Sequence, residues 1–335
     1  MKSLLLILPL ALGLSTMSTS DATPATGPLL LIANKGEQTL GIVDPQAGKQ
    51  LVAIPEGGIT GHEVAASPDG KTAYVPIYGN SGVGKPGTDG QNIVVVDIAS
   101  QKIVGNIDYG RGVRPHCAVF GPKDGMLYVT TELDKAISII DPKTLKVVGS
   151  IPTGQPESHM LALSPDGKRG YTANVGPGTV SVLDMENRKT LTVIPISGQT
   201  QRIAISPDGK LVFTADQTKP QLAVIDTATN KIKTWIPLPA NGYGTAATPD
   251  GRSLVVAVLG SNQVAVVDLA TLKVAKLIDV PAAPQEVLVR PDGQVAYVSC
   301  DASKKIAAIN TSTWTVDKLI DAGKGADGLA WAAGK

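Results

Sequence analysis

The feature that most constrains this chain is a repeat of about 42 residues. A turn signature recurs along it: Ser67-Pro68-Asp69-Gly70, Gly121-Pro122-Lys123-Asp124-Gly125, Ser164-Pro165-Asp166-Gly167, Ser206-Pro207-Asp208-Gly209, Thr248-Pro249-Asp250-Gly251 and Arg290-Pro291-Asp292-Gly293. Pro presets φ at the second turn position, Asp bonds its own backbone, and Gly takes the left-handed conformation. A second signature is an apolar strand ending in Asp44, Asp97, Asp141, Asp184, Asp226 or Asp268, with Asn310 in the seventh place. Its last four intervals are 43, 42, 42 and 42 residues. A third is the strand after the turn, as in Ala73-Tyr74-Val75, Leu127-Tyr128-Val129-Thr130 and Ala296-Tyr297-Val298. Each period therefore holds four short strands: a before the turn, b after it, c ending in Asp, and d beyond. Four strands in a period of this length make one propeller blade, and each strand type occurs seven times.

The expected fold is all-β: a seven-bladed β-propeller of four-stranded antiparallel blades, occupying residues 28–335. The chain begins with a b strand near Leu29 and ends with an a strand near Leu329. The last blade is therefore expected to take strand a from the C-terminus and strands b, c and d from residues 28–55, which leaves few free sheet edges. Composition agrees. Aromatic residues make up only 4% of the chain, against 36 Gly and 24 Pro, a balance that suits many short strands and tight turns better than packed helices. The net charge of +1, with no basic stretch, lends no support to nucleic-acid binding.

Met1-Lys2, the apolar run from Leu4 to Leu14 and the small residues after it read as a secretory signal over residues 1–22. Residues 23–27 read as a flexible leader. The expectation is a periplasmic or secreted protein of the bacterial envelope that spans no membrane after cleavage, with a monomer as the preferred state. Cys117 and Cys300 fall in non-adjacent blades, which argues against a disulfide. No C-x-x-C-H motif, Walker loop or Gly-x-Ser-x-Gly elbow occurs.

The Tyr-Val-Thr strand, the Ser-Pro-Asp-Gly turn and the strand ending in Val-Asp resemble the YVTN-repeat β-propeller family over nearly the whole chain after the signal. That resemblance implies a seven-bladed propeller, usually exported or surface-displayed, and no single activity. Its wider group includes sugar-lactone hydrolases and the haem-binding propeller of a nitrite reductase. A fold of this kind does not fix a function.

One column locates a candidate site. Aligned five residues before each turn, the a strands read His62, His116, His159, Gln201, Tyr243, Gln285 and Asp327. All three histidines of the protein stand in this column, in consecutive blades, at the expected mouth of the central channel. Three neutral imidazoles suit Zn²⁺ or Cu²⁺ with positions left open; without metal, one imidazole can serve as a general base. The same histidines also read as repeat consensus, each bonding a loop carbonyl. Glu63, Arg114 and Arg202 adjoin the column, but strand alternation turns neighbours to opposite faces. The Gly-rich b–c connection of the His62 blade, with Tyr78, Lys85 and Asp89, reads either as a flap over the site or as a neutral insertion. The preferred function is the binding of a small ligand, a metal ion or an envelope partner protein. The alternative is a metal-assisted or His-based hydrolase, lactonase or lyase; a cofactor-dependent redox accessory role has the least support.

Overall fold

The computed structural model describes residues 27–80 and 82–334, so the expected signal and all of the leader except Gly27 lie outside the described residues. The described chain forms seven four-stranded antiparallel sheets and two single-turn 3₁₀ segments. Blade 1 comprises Ala65–Ala66, Thr72–Gly79, Asp89–Asp97 and Lys102–Asp108. Blades 2 to 6 follow in order over residues 115–152, 158–195, 200–237, 242–279 and 284–321. Blade 7 joins the two ends: Ala326–Ala332 pairs with Leu29–Asn34, which leads to Thr39–Asp44 and Lys49–Pro55. The closure is the one read from the repeat, with strand a supplied by the C-terminus.

The turns form as their chemistry requires. In Ser164–Gly167 the Asp166 Oδ1 accepts the Lys168 N–H (3.0 Å) and the Ser164 hydroxyl (2.6 Å), and Gly167 sits at φ 72°. The Asp that ends six of the seven c strands caps the following turn: Asp97 accepts from Ser100 N (2.7 Å), Asp141 from Lys143 N (2.9 Å) and Asp268 from Thr271 N (2.7 Å). These carboxylates are used by the fold, as side-chain-to-backbone bonding predicts.

The core is the stack of blade faces. Ile137, Ile139 and Ile151 of blade 2 pack against Leu161, Tyr171 and Val182 of blade 3, which in turn meet Ile203 and Val212 of blade 4. Inner b and c strands are buried along nearly their whole length, as in Leu29–Asn34 and Leu127–Thr131. Outer d strands are mostly exposed, as in Lys102–Asp108. Cys117 and Cys300 are buried free thiols in blades 2 and 6. No helix among the described residues is long and apolar enough to cross a membrane.

Candidate functional site

Each a strand carries its column residue at its second position. His116 stands in Pro115–Phe120, His159 in Ser158–Leu163, Gln201 in Thr200–Ile205, Tyr243 in Gly242–Ala247, Gln285 in Pro284–Val289 and Asp327 in Ala326–Ala332. His62 precedes the short Ala65–Ala66 strand, beside the Gly61–Ile77 bridge. The three imidazoles converge. The rings of His116 and His159 lie 3.6 Å apart between centroids, tilted by 32°, and His62 meets His116 edge-on at 5.5 Å.

Burial sets their charge state. His116 and His159 are each only 1% exposed. Desolvation, then repulsion from His159, His62 and Arg202, holds His116 well below the usual 6.5. Desolvation, then Arg202 and His62, does the same to His159. His62 is lowered to about 4, again chiefly by burial. All three rings are therefore neutral at pH 7. The Gln201 side-chain nitrogen lies 3.2 Å from His159 Nε2, within hydrogen-bond reach. The Nδ1 atoms of His116 and His159 are buried and have no hydrogen-bond partner among the described residues. That is costly unless something else meets them.

The neighbours of the column also point inward, contrary to the alternation expected from the sequence. The cause is a β-bulge. In blades 2 to 6 the a–b register shifts at the column, between Pro115 and Ala118, Ser158 and Met160, Thr200 and Ile203, Gly242 and Thr245, and Pro284 and Val287. A bulge re-aims a side chain, so successive residues can both face the channel. Arg202 exploits this by reaching across the axis. Its Nη1 donates to Glu63 and to Glu286 (2.5 Å), its Nη2 to Asp327 (3.0 Å), and its guanidinium lies 4.9 Å from the Tyr243 ring. Four other blades thus meet on one guanidinium. Lys35 adds a second cation, 3.0 Å from Asp327 and 3.3 Å from Asp301.

Two buried carboxylates, Glu63 and Asp327, and the half-buried Glu286 share these two cations, and they divide accordingly. Burial pushes Glu63 up to about 8, with Glu286 and Asp327 adding repulsion that Arg202 only partly offsets. Glu286 is likewise raised by burial. Burial would also raise Asp327, but Arg202 and Lys35 outweigh it and hold its carboxyl low. Glu56 is buried and pushed up to about 7 by desolvation; it accepts the Gly61 N–H (2.8 Å), one residue before His62.

A second ring of residues follows the b strands. Counted four after the strand's aromatic or equivalent position, it reads Lys35, Tyr78, Glu132, Val175, Gln217, Leu259 and Asp301. Polar members of adjacent blades pair, Lys35 with Asp301 and Tyr78 with Glu132, whose carboxylate accepts the phenol hydroxyl. The fully buried Tyr78 ring lies 4.9 Å from His62, 5.3 Å from His116 and 5.9 Å from His159. The site thus includes Lys35, Glu56, Glu132 and Asp301, none of them marked by the histidine column. The signal that finds three of them is this second column, where charges interrupt an otherwise mixed set. Glu56 has no repeat signal.

Among the described residues no group of three or more His, Cys, Asp or Glu side chains is arranged to hold a metal ion. The stacked pair explains it. Two imidazoles on one tetrahedral ion hold their centroids roughly 5 Å apart, so a shared ion requires His116 and His159 to separate.

Comparison with known proteins adds family and fold. The family model described as "Lactonase, 7-bladed beta-propeller" matches residues 57–234, and that described as "Cytochrome D1 heme domain" matches residues 158–332. The chain is 31% identical over 137 residues to the seven-bladed beta-propeller protein Rv1057 of Mycobacterium tuberculosis. That match covers 40% of this chain and 32% of the relative, so it spans about a third of the relative's length. A chain of Kuenenia stuttgartiensis hydrazine synthase superposes with a TM-score of 0.51 at 19% identity, over 77% of this chain and 96% of that one, a likeness of fold alone. The lactonase match covers more than half of the chain and includes all three histidines and Arg202, so this chain belongs to the lactonase-type seven-bladed β-propeller family.

Proposed function

We propose that this propeller is an exported binding protein that takes a small ligand against His62, His116 and His159 at one mouth of its channel. The observation that carries the reading is the pair of buried, neutral imidazoles whose Nδ1 atoms find no partner among the described residues. A polar ligand that met those atoms would satisfy groups the fold leaves unsatisfied. Export rests on residues 1–22, and membership of the YVTN-repeat group rests on the turn and strand motifs. A monomer is the expected state.

The test is a thermal-shift screen of the mature protein against Zn²⁺, Cu²⁺ and a panel of small hydroxy acids and lactones, repeated on His116→Ala and His159→Ala. The reading expects at least one compound to raise the melting temperature of the natural protein and to lose that effect in both variants. Shifts that persist in both variants would place binding elsewhere. A shift confined to Zn²⁺ or Cu²⁺ would identify the ligand as a metal and require the stacked rings to part.

The family description favours a second reading, hydrolysis of a lactone or a related bond. A neutral buried imidazole is in the right protonation state to take a proton from water, and the matched residues contain the whole histidine cluster. Turnover of any lactone in the panel, abolished by His159→Ala, would select this reading over simple binding. A haem, as in the family that gives the second model its name, is a poor fit here. Tyr78 covers the rings and Arg202 crosses the channel beside them.

A further inference from the structure

The mouth is uniform except at one point. In the other six blades four residues join strand b to strand c, as between Thr131 and Ala136 or Asn174 and Thr179, whereas blade 1 spans from Gly79 to Asp89. The long connection leaves and rejoins its blade at a glycine pair. Gly79 sits at φ 120°, where a Cβ would meet Thr88 O at 2.1 Å, and a Cβ on Gly90 would meet Ile77 O at 1.6 Å. Only glycine permits so close an approach, and it sets the connection directly beside Tyr78.

Two buried side chains, Arg114 just before blade 2 and Glu132 within it, hold this segment in place. Arg114 donates through Nε to Asp89 Oδ1 (2.6 Å), through Nη2 to Lys85 O (2.7 Å) and through Nη1 to Glu132 Oε1 (3.1 Å). Glu132 in turn accepts from Gly84 N (3.2 Å) and from the Tyr78 hydroxyl. The Val113 and Arg114 amides both donate to Gly90 O (2.9 Å each). One ion pair therefore fixes the insertion and the ring that covers the imidazoles. A cleft of about 350 Å³, lined by Lys85, Arg114, Glu132, Leu133, Lys135 and Glu157 among others, opens on the pair from outside.

We propose that Tyr78 is a door over His116 and His159 and that the Arg114–Glu132 pair is its latch. In the closed state His116 and His159 are each only 1% exposed and the Tyr78 ring packs edge-on against both, while half-buried His62 carries the solvent edge of the cluster. Opening breaks the bonds that Glu132 makes to Tyr78 and Gly84 and hands those polar groups to water. Closure is favoured by charge-assisted bonds in a sheltered setting, which are stronger than neutral ones. The inference rests on the histidines being the site. Its test reads only their accessibility, so it stands or falls separately from whether any ligand is found.

The test uses diethylpyrocarbonate, which acylates neutral imidazole and is read at 240 nm, with peptide mass analysis to assign the residue. The protein has three histidines, all in this site, so the histidine signal reports only on it. The rings are already neutral at the working pH of 6 to 7, so access governs the rate. The natural protein is expected to modify slowly at His116 and His159. Glu132→Gln, which keeps size and removes the charge, and Tyr78→Phe, which removes only the hydroxyl, are each expected to raise both rates about tenfold to a hundredfold. Near-ultraviolet circular dichroism and the melting temperature identify any variant that has lost its fold; Tyr78→Phe retains the ring and so carries the test if Glu132→Gln does not fold. Natural protein acylated at His116 and His159 as fast as a free imidazole would overturn the door. Folded variants as protected as the natural protein would overturn the latch.

Discussion

At the scale of single residues, the site combines groups whose titrations oppose one another. The three histidines have folded-state values below 6.5, His62 at about 4 and the other two well below 6.5. As pH falls below 6.5 the unfolded chain takes up their protons first. The stability they contribute is complete above 6.5 and is lost on acidification, at about 1.4 kcal/mol per pH unit for each proton of difference. Glu56 and Glu63 run the other way. Their folded-state values, about 7 and about 8, lie above the usual 4.5. The folded state therefore holds extra protons between 4.5 and 8, and that stability is lost as pH rises through the window. Above 6.5 only the carboxylate effect remains. The melting temperature is accordingly expected to fall from pH 6.5 to 8.5, and Glu56→Gln is expected to flatten part of that fall; calorimetry across the range checks both. Arg202→Met removes the cation on which Glu63, Glu286 and Asp327 converge. The expected cost at pH 7 is about 3–5 kcal/mol, read by urea unfolding. The histidine column was legible because repeat register turns distant residues into neighbours. The inward turn of Arg202 and Glu286 was not, because it depends on a bulge that no single repeat announces. Tyr78 was legible as part of an insertion, whereas its packing on the three rings required the blade geometry.

At the scale of elements, the repeated turn offers a controlled comparison. Gly70 and Gly251 occupy the same turn position at φ 69° and 70°. A Cβ at Gly251 would meet nothing within 4 Å, whereas one at Gly70 would fall 2.0 Å from Ala333 O, just past the strand that closes the ring. Gly251→Ala should therefore cost only the left-handed backbone penalty, roughly 1–2 kcal/mol. Gly70→Ala should cost more, because it also displaces the end of the C-terminal strand. Chemical denaturation of the two variants side by side measures the difference. The turn itself was plain in the sequence, since Pro, Asp and Gly each have a separate physical reason to stand there. What surrounds each copy was not, because it depends on which blade lies next to it.

At the scale of the whole molecule, closure is the decisive feature. Ala326–Ala332 contributes the inner strand of blade 7 and also carries Asp327, which bonds both Lys35 and Arg202. Deleting residues 326–335 would leave Leu29–Asn34 as an unpaired, fully buried edge. The expected result is a chain that aggregates or unfolds without a cooperative transition, checked by calorimetry and size-exclusion chromatography. Seven blades, their strand order and this closure all followed from counting one repeat. The reason is that each blade is a local antiparallel sheet, whose hairpins are written in adjacent residues. The charge network across the channel was harder to read: Glu63, Arg202 and Glu286 each follow a column residue, yet strand alternation alone would turn them away from the channel.

The central claim is that three histidines from consecutive blades form one neutral cluster packed against Tyr78. Its most direct measurement is nuclear magnetic resonance on protein labelled at histidine and tyrosine, followed from pH 5.5 to 8. Three neutral imidazoles without an inflection across that range, with through-space contacts linking His116 to His159 and all three rings to Tyr78, are the expected result. A histidine that titrates near 6.5, or one without contact to the other two, would contradict it.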